Sequence, residues 1–498
     1  MGLMRKAMQN KRMEEITQLA LDNGLEPFPV VFETVERSTM TNIVSYGLPT
    51  KARHWSYGRS YDYQKTYGEM GYSKIYEVIL NNNPSYAFML DTNTEVQNIF
   101  ITAHCLGHSD FFKNNCTFKD SDRNMIYHAA EHAGRIEQYI ETYGFEKVEH
   151  LMDIAFALDE HIDWHKGLIR KPYGGKRIIT RYKKCGEFDD VAFTKPVYTT
   201  CSIENGNFPP HPERDLLWFF INYAPLEDWE RDVLDIVREE SYYFYPQKMT
   251  KIMNEGWASY WHAELMFQYD LNPEEYLDFV RTHEKVVQPG DNPFRINPYY
   301  LGFKIFKDIE KRWDEEYGKG AGKQKIFEVR TEEDDISFLR NYLTTELVDK
   351  LNLFTYGYIK DYAQDYTGER LIEIKERFCD EIVESLVRPI YNGGAPKIVI
   401  TGIGQEGTLL LNHDNEEFGT FGTLDNNFVK RTIEYIWDLW AAPVELHTKN
   451  DDGGSIAICF DEAGAYERDL EEELSFIMEE EEEEEKKPVL CGNRIIIP

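Results

Sequence analysis

The chain has 498 residues, of which 42% are hydrophobic, and this is enough for a large buried core and more than one domain. Its formal net charge of −33 disfavours nucleic acids and anionic membranes as partners, because both would repel it. No apolar run is long enough to span a bilayer, and the N-terminus lacks the apolar stretch of a signal peptide, so we expect a cytoplasmic protein. The seven cysteines form no CxxC pair, which indicates reduced thiols.

Apolar residues at helical spacing dominate the chain up to about residue 390. The predicted helices are 5–23, 95–112 (with Thr92 or Thr94 as N-cap), 122–143, 144–158, 213–223, 229–244, 253–268, 273–287, 300–317, 335–351 and 370–387. Irregular structure with short strands is predicted at 27–71, followed by a helix or strand at 73–80 and a strand at 86–91. A basic loop is predicted at 166–184 and a flexible connector at 318–324.

The pattern then changes to short strands. Strands are predicted at 397–403, 408–413, 443–448 and 455–460, with a helix at 426–441 between the second and third. We therefore predict a mainly α fold with a small α+β C-terminal domain. The predicted domain limits are a helical body at 1–390, a ββαββ domain at 391–462 and an acidic tail at 463–498, whose glutamate run at 479–485 favours a solvated, disordered segment.

Histidines four residues apart share one helical face and can bind one metal ion together. His104 and His108 have this spacing within a predicted helix. The same spacing occurs in two further pairs, for which surface or hydrogen-bonded core histidines are the favoured interpretation: His128/His132 and His161/His165. A histidine pair alone is a weak signal, so the interpretation of the first pair depends on a second motif.

That motif is NEGWASYWH at 254–262. It resembles the helix on which gluzincin-type metallopeptidases carry their third zinc ligand, a glutamate. The resemblance implies a gluzincin-like helical body and a zinc site made of His104, His108 and Glu255, with an open position for water. Cys105 stands where those peptidases have their general base, so His262 and Asp110 are the candidates for handling protons.

Two other interpretations of these residues stay open. Glu255 can instead pair with a buried arginine or histidine, which would leave the histidines as hydrogen-bonded core residues. Glu239, Glu240 and Glu255 can also be combined with histidines into a dinuclear carboxylate site within a helical bundle, although the paired Glu-x-x-His motifs of such sites are missing.

Longer motifs resemble those of the SpoVR (stage V sporulation protein R) family. They are AHCLGHSDFFKNN at 103–115, ERDLLWF at 213–219, YAPLEDWERDVLDIVREESYYF at 223–244, QKMTKIMNEGWASYWH at 247–262 and NPYYLG at 297–302. The resemblance extends from about His54 to the strand at Val444 and leaves only the acidic tail outside.

This resemblance implies a role in sporulation, at formation of the spore's peptidoglycan cortex. It also suggests a PrkA-type serine kinase and a von Willebrand-like protein as partners, and a more general stress role in relatives that do not sporulate. The favoured function is zinc-assisted hydrolysis of an amide in a peptide or peptidoglycan-related substrate. The alternative is a non-catalytic regulator or scaffold of the kinase system, in which any metal is structural.

Overall fold

The computed structural model describes residues 2–69, 77–173, 179–181, 197–199, 208–290, 292, 294–358, 371–404, 407–414, 424–472, 489–491 and 494–496. The chain forms two compact units, one made of residues 1–148 and 240–394 and the other of residues 149–239 and 395–498. The fold is mainly α with an α+β C-terminal region, which confirms the predicted fold class. The predicted domain limits at residues 390 and 462 stay a prediction.

The helices are α1 (Gly2–Asp22), α2 (Arg37–Tyr46), α3 (Trp55–Glu69), α4 (Glu95–Asn114), α5 (Met125–Tyr143), α6 (Phe145–Leu158), α7 (Leu216–Tyr223), α8 (Asp228–Met249), α9 (Lys251–Gln268), α10 (Pro273–Val286), α11 (Pro298–Tyr317), α12 (Ala321–Glu332), α13 (Asp335–Tyr342), α14 (Thr345–Leu351), α15 (Cys379–Val387) and α16 (Asn426–Trp440). Within the described residues, no helix combines the length and the apolar character that crossing a bilayer requires.

The strands are β1 (Val30–Val35), β2 (Glu77–Leu80), β3 (Ser85–Leu90), β4 (Ile179–Arg181), β5 (Val197–Thr199), β6 (Thr355–Tyr358), β7 (Ile372–Glu376), β8 (Ile398–Ile403), β9 (Leu409–His413), β10 (Val444–Lys449), β11 (Ser455–Asp461), β12 (Gly464–Asp469), β13 (Val489–Cys491) and β14 (Arg494–Ile496). In the first unit, β3 lies between β1, to which it is parallel, and β2, to which it is antiparallel.

Helices α4, α9 and α11 form the centre of the first unit, and glycines allow their backbones to touch. A Cβ atom on Gly107 of α4 would lie 2.8 Å from Ala258 Cα of α9. A Cβ atom on Gly256 of α9 would lie 2.4 Å from Gly302 Cα of α11. Real Cβ atoms do not approach other atoms so closely, so the sequence allows this helix packing only with glycine at these positions. Around these contacts the helices are buried in the main hydrophobic core.

The ends of α4 and α9 are fixed by side chains. Thr94 and Gln97 form a capping box at the start of α4, which confirms Thr94 as its N-cap. The two carboxylate oxygens of Asp335 accept the backbone N–H groups of Ile252 and Met253, at 2.7 and 2.8 Å, at the start of α9. The first turn of a helix has unpaired N–H groups, so these bonds hold α9 in place from outside.

The second unit contains a five-stranded sheet with the strand order β12-β11-β10-β9-β8. Strands β9 and β10 are parallel and are joined through α16, whereas the other neighbours are antiparallel. One face of α16 is buried, including Ile433, Ile436 and Trp440. The four predicted strands and the helix of this module are confirmed, and β12 is an additional strand at its edge.

Several predicted elements are wrong. The interval 27–71 contains two helices, α2 and α3, in place of irregular structure. The connector at 318–324 contains the start of α12, because Gly320 adopts a left-handed φ of 97° and the helix begins directly after it. The predicted helix 335–351 is two helices, α13 and α14, and the first part of 370–387 is strand β7. The glutamate run at 479–485 lies outside the described residues, as do residues 174–178 and 182–184 of the predicted basic loop at 166–184.

Candidate metal centre

Three buried side chains meet where α4 and α9 cross. His104 and His108 lie one turn apart on α4, and Glu255 lies on α9. The Nε2 atoms of the two histidines are 3.0 Å apart, and Glu255 Oε2 lies 3.7 Å from His104 Nε2 and 3.3 Å from His108 Nε2. Gly107 lies between the two histidines and has no side chain, so α9 can approach α4 closely at this turn. Glu255 of α9 therefore lies next to the turn that carries both histidines.

These distances fit a shared ion. An ion held tetrahedrally by bonds of about 2.1 Å separates its ligand atoms by about 3.4 Å. Glu255 Oε2 is also buried and makes no hydrogen bond of good geometry within the described residues, although both imidazoles and the Tyr299 hydroxyl lie close enough to affect the carboxylate. The group His104, His108 and Glu255 can therefore hold a metal ion, and it is the one such group of three or more histidine, cysteine or acidic residues within the described residues.

The charge of Glu255 is stabilised by its surroundings. Burial alone would raise the pKa of this carboxyl, but the ammonium of Lys251 and, when they are protonated, the two histidines outweigh burial and hold the pKa well below its usual range. Lys251 Nζ lies 2.5 Å from the other carboxylate oxygen, Oε1. Glu255 is therefore ionised at neutral pH, with one oxygen on the lysine and the other facing the imidazoles.

The Nδ1 atoms of both imidazoles also form hydrogen bonds. His108 Nδ1 lies 2.8 Å from Asn254 Oδ1, an acceptor, so Nδ1 carries the proton and Nε2 presents a lone pair. His104 Nδ1 lies 3.0 Å from His262 Nδ1, and His262 Nε2 lies 2.7 Å from His283 Nδ1. One consistent assignment has each ring of this chain donating to the next, which leaves His104 Nε2 with a lone pair too. Metal-binding histidines are commonly oriented by such bonds.

His262 is fully buried, and burial together with His104 and His283 lowers its pKa well below the usual range. It is therefore neutral at neutral pH. Its ring contacts the Nδ1 side of His104, opposite the Nε2 atom that faces Glu255. This position suits a residue that orients His104, and the predicted proton-handling role of His262 stays a prediction.

Asp110 lies two residues after His108 on α4, so it projects from a different face of the helix. Its carboxylate accepts hydrogen bonds from the backbone N–H of Glu26 at 2.7 Å and from Trp257 Nε1 at 2.9 Å. It also forms an ion pair with Arg330 at 3.2 Å. Burial nevertheless raises the pKa of Asp110. The structure thus places Asp110 in a packing network, separate from the three converging side chains, and its predicted catalytic role stays untested.

Two residues that the sequence did not single out also face the site. Glu77, the first residue of β2, places Oε1 3.9 Å from His104 Nε2. Burial raises its pKa, and Glu255 raises it further, against the effect of His104. Tyr299 of α11 stacks on His104 with ring centroids 6.0 Å apart. Burial raises the pKa of its hydroxyl well above the usual value, and Glu255 and Glu77 add to this effect. The NPYYLG motif was a signal for Tyr299, but no sequence signal marked Glu77.

The histidine pairs His128/His132 and His161/His165 lie outside the candidate metal centre, and the first pair has carboxylate partners of its own. His128 Nδ1 lies 2.6 Å from Asp122, and His132 lies 3.4 Å from Glu240. Glu240 also binds Lys51 Nζ at 3.0 Å, so its carboxylate belongs to this ion-pair cluster. Neither pair forms a metal-binding group with Glu255, and the dinuclear arrangement with Glu240 gains no support from these contacts.

Comparisons with known proteins agree with the motif resemblance. The family model described as SpoVR like protein matches residues 5–393. The uncharacterized protein YcgB of Escherichia coli (strain K12) is 28% identical over 486 residues, which cover 89% of this chain and 92% of that protein. No solved structure matches the chain.

Proposed function

Because the chain belongs to the SpoVR-like family and brings two histidines and a glutamate together in its core, we propose that it is a zinc-dependent amide hydrolase. The observation that carries the proposal is the convergence of the buried Glu255 Oε2 atom on two imidazole nitrogens, at 3.7 Å from His104 Nε2 and 3.3 Å from His108 Nε2. Two nitrogen donors and one carboxylate oxygen, at the separations of a tetrahedral site, match the ligand set of catalytic zinc sites.

Zinc bound there would polarise a carbonyl group and lower the pKa of a bound water towards ~7. The protein residues supply the rest of the chemistry. Glu77 is the base that takes a proton from the attacking water and passes it to the leaving amine as the C–N bond breaks. This assignment rests on its carboxylate lying beside His104 without an arginine or lysine ion pair of its own among the described residues. Glu77 is thus assigned the role of general base, which Cys105, at the position of the peptidase glutamate, cannot perform.

Tyr299 is placed to help the same step. Its hydroxyl lies close enough to Glu255 to be affected by that carboxylate, and its raised pKa keeps it protonated at neutral pH. A protonated hydroxyl can donate a hydrogen bond to a carbonyl oxygen on which negative charge develops. Asn254 and His262 act as positioning residues, because they bond the far nitrogens of His108 and His104.

The first test is metal analysis of the purified full-length chain. We expect about one zinc ion per chain, lost in Glu255→Ala and in His108→Ala. His128→Ala is the matched control, because His128 pairs with Asp122 outside the site and its loss should leave the zinc in place. A wild-type chain that takes up no stoichiometric metal would overturn the proposal.

The second test is turnover. The zinc-loaded chain is incubated with peptides derived from peptidoglycan, and the release of free amines is measured. Activity should disappear with a chelator, return with zinc and be absent in Glu255→Ala. If zinc is bound but its removal only unfolds the chain, and no amine is released, a structural metal is the better explanation.

The biological setting is proposed from the family alone. It comprises a cytoplasmic role in sporulation, at cortex formation, together with a PrkA-type kinase and a von Willebrand-like protein. The alternative function, a non-catalytic regulator of that kinase, is favoured by one observation, which is Cys105 in the position of the peptidase base. Co-purification of the tagged chain with the kinase, compared between wild type and Glu255→Ala, separates partner binding from chemistry.

A further inference from the structure

Lys251 lies between the candidate metal centre and solvent. Its side chain is 59% exposed, whereas the side chain of Glu255, which it contacts, is only 6% exposed. Its Nζ atom bonds Glu255 Oε1, and Glu255 Oε2 faces the imidazoles. A single carboxylate group therefore separates the ammonium from the atoms that would hold the ion.

The ammonium group has hydrogen-bonding capacity to spare. A lysine ammonium has three N–H donors, and Glu255 is its one hydrogen-bond acceptor within the described residues. Asp335 also lies near Lys251, but its two oxygens accept backbone N–H groups of α9. Two donors of Lys251 are thus available to an incoming acceptor.

The charges around the centre also favour an anionic ligand. The charge of a divalent ion would be balanced by Glu255 and Glu77, the two carboxylates that face His104. Lys251 then adds one positive charge at the exposed side of the site. In a chain with 88 acidic and 55 basic residues, such a local positive charge is a means of selecting ligands.

We propose that Lys251 binds a carboxylate of the substrate, located about one residue's length from the amide that is cleaved. The substrates are then amides whose leaving amine carries a carboxylate, such as the terminal residue of a peptide. One residue spans roughly 3.5 Å, which suits a group that bridges from the ion position past Glu255 to the ammonium. This assignment rests on the proposed hydrolase function and adds a substrate preference to it.

The test compares two probes on the cobalt(II)-substituted full-length chain. Acetohydroxamate reports an open metal position, and the monohydroxamate of succinic acid adds one carboxylate to the same metal-binding group. Dissociation constants are measured from the change in the visible spectrum of cobalt. Wild type should bind the carboxylated probe about tenfold more tightly, which is the order expected for one charge-assisted hydrogen bond.

Lys251→Gln should abolish this preference, so that the ratio of the two dissociation constants falls to about one. Lys248→Gln changes another exposed lysine three residues earlier and should retain the preference. The preference is a ratio measured within one protein, so a change in metal affinity caused by the loss of the Lys251–Glu255 contact cancels. A tenfold preference that survives in Lys251→Gln, or its absence in wild type that binds acetohydroxamate, would overturn the assignment and leave the hydrolase standing. A cobalt spectrum that does not respond to acetohydroxamate would overturn both.

Discussion

Asn254 Oδ1 accepts a hydrogen bond from His108 Nδ1 at 2.8 Å, so the residue directly before Glu255 orients another ligand of the same centre. Two consecutive residues of α9 thus contribute to the site, one as a candidate ligand and the other by orienting a histidine. The NEG motif is therefore a structural unit in which the glutamate provides a ligand atom, the asparagine fixes a tautomer and the glycine allows α11 to approach.

Replacing Asn254 should weaken metal binding without unfolding the chain. Asn254→Ala removes the acceptor that holds His108, and we expect roughly 10- to 100-fold weaker zinc affinity. Competition with a chromogenic chelator measures this affinity. Asn341→Ala is the control, since Asn341 is exposed on α13 and its amide contacts Glu333, away from the site. Equal affinities in Asn254→Ala and wild type would contradict the role of Asn254.

Glu77→Gln should show whether Glu77 acts as a general base or as a metal ligand. The amide keeps the size of the side chain but cannot accept a proton, so we expect hydrolysis to fall about 10²- to 10⁴-fold while zinc content stays at the wild-type level. Glu33→Gln, in strand β1 at the other edge of the same sheet, is the control for changing an acid of this sheet. Loss of zinc from Glu77→Gln would instead identify Glu77 as a fourth ligand.

Asp110→Asn should reduce stability and leave the metal in place. The carboxylate is buried against Arg330, and removal of one partner of a buried ion pair costs about 3–5 kcal/mol. Thermal unfolding measures the loss, and zinc analysis of the folded variant checks the site. If the variant is as stable as wild type but does not turn over substrate, the catalytic role predicted from sequence is the correct one.

Gly302→Ala should disrupt the packing of α9 on α11. A Cβ atom at this position would lie 2.1 Å from Ile252 O, so the helices must move apart, and we expect a loss of about 3 kcal/mol or more in the free energy of unfolding. Zinc affinity should fall as well, because Glu255 moves with α9. Gly134→Ala, in α5 and with no atom within 4 Å, should be neutral or slightly stabilising.

His161 should make stability depend on pH. Burial lowers its pKa from 6.5 to about 4, so the folded state disfavours the protonated ring. The stability contribution is complete above pH 6.5 and is lost as the pH falls towards 4. The shift corresponds to about 3 kcal/mol. Urea unfolding of wild type and His161→Gln at several pH values measures the difference, and a parallel decline in both would contradict it.

The sequence allowed prediction of the three donor residues but not of Glu77 and Tyr299, which approach them from β2 and α11. His104 and His108 follow from helical spacing, and Glu255 follows from its motif. Glu77 could not be predicted, because its approach to His104 depends on how β2 pairs with β3 and how this sheet meets α4. Strand β7 was predictable, since Ile372 and Ile374 alternate with polar residues, but a helical pattern was favoured there instead.

Backbone-to-backbone contact between α4, α9 and α11 has a consequence for how this centre can change over time. The spacing of the backbone positions that carry its three donors is set at residues that have no side chains, so exchanging a donor leaves the helix packing as it is. A cysteine or aspartate in place of His108 would keep the same backbone separation from residue 255, but its shorter side chain would hold its donor atom farther from Glu255. The choice of ion can therefore be changed through the length and chemistry of the donors without changing the arrangement of the helices.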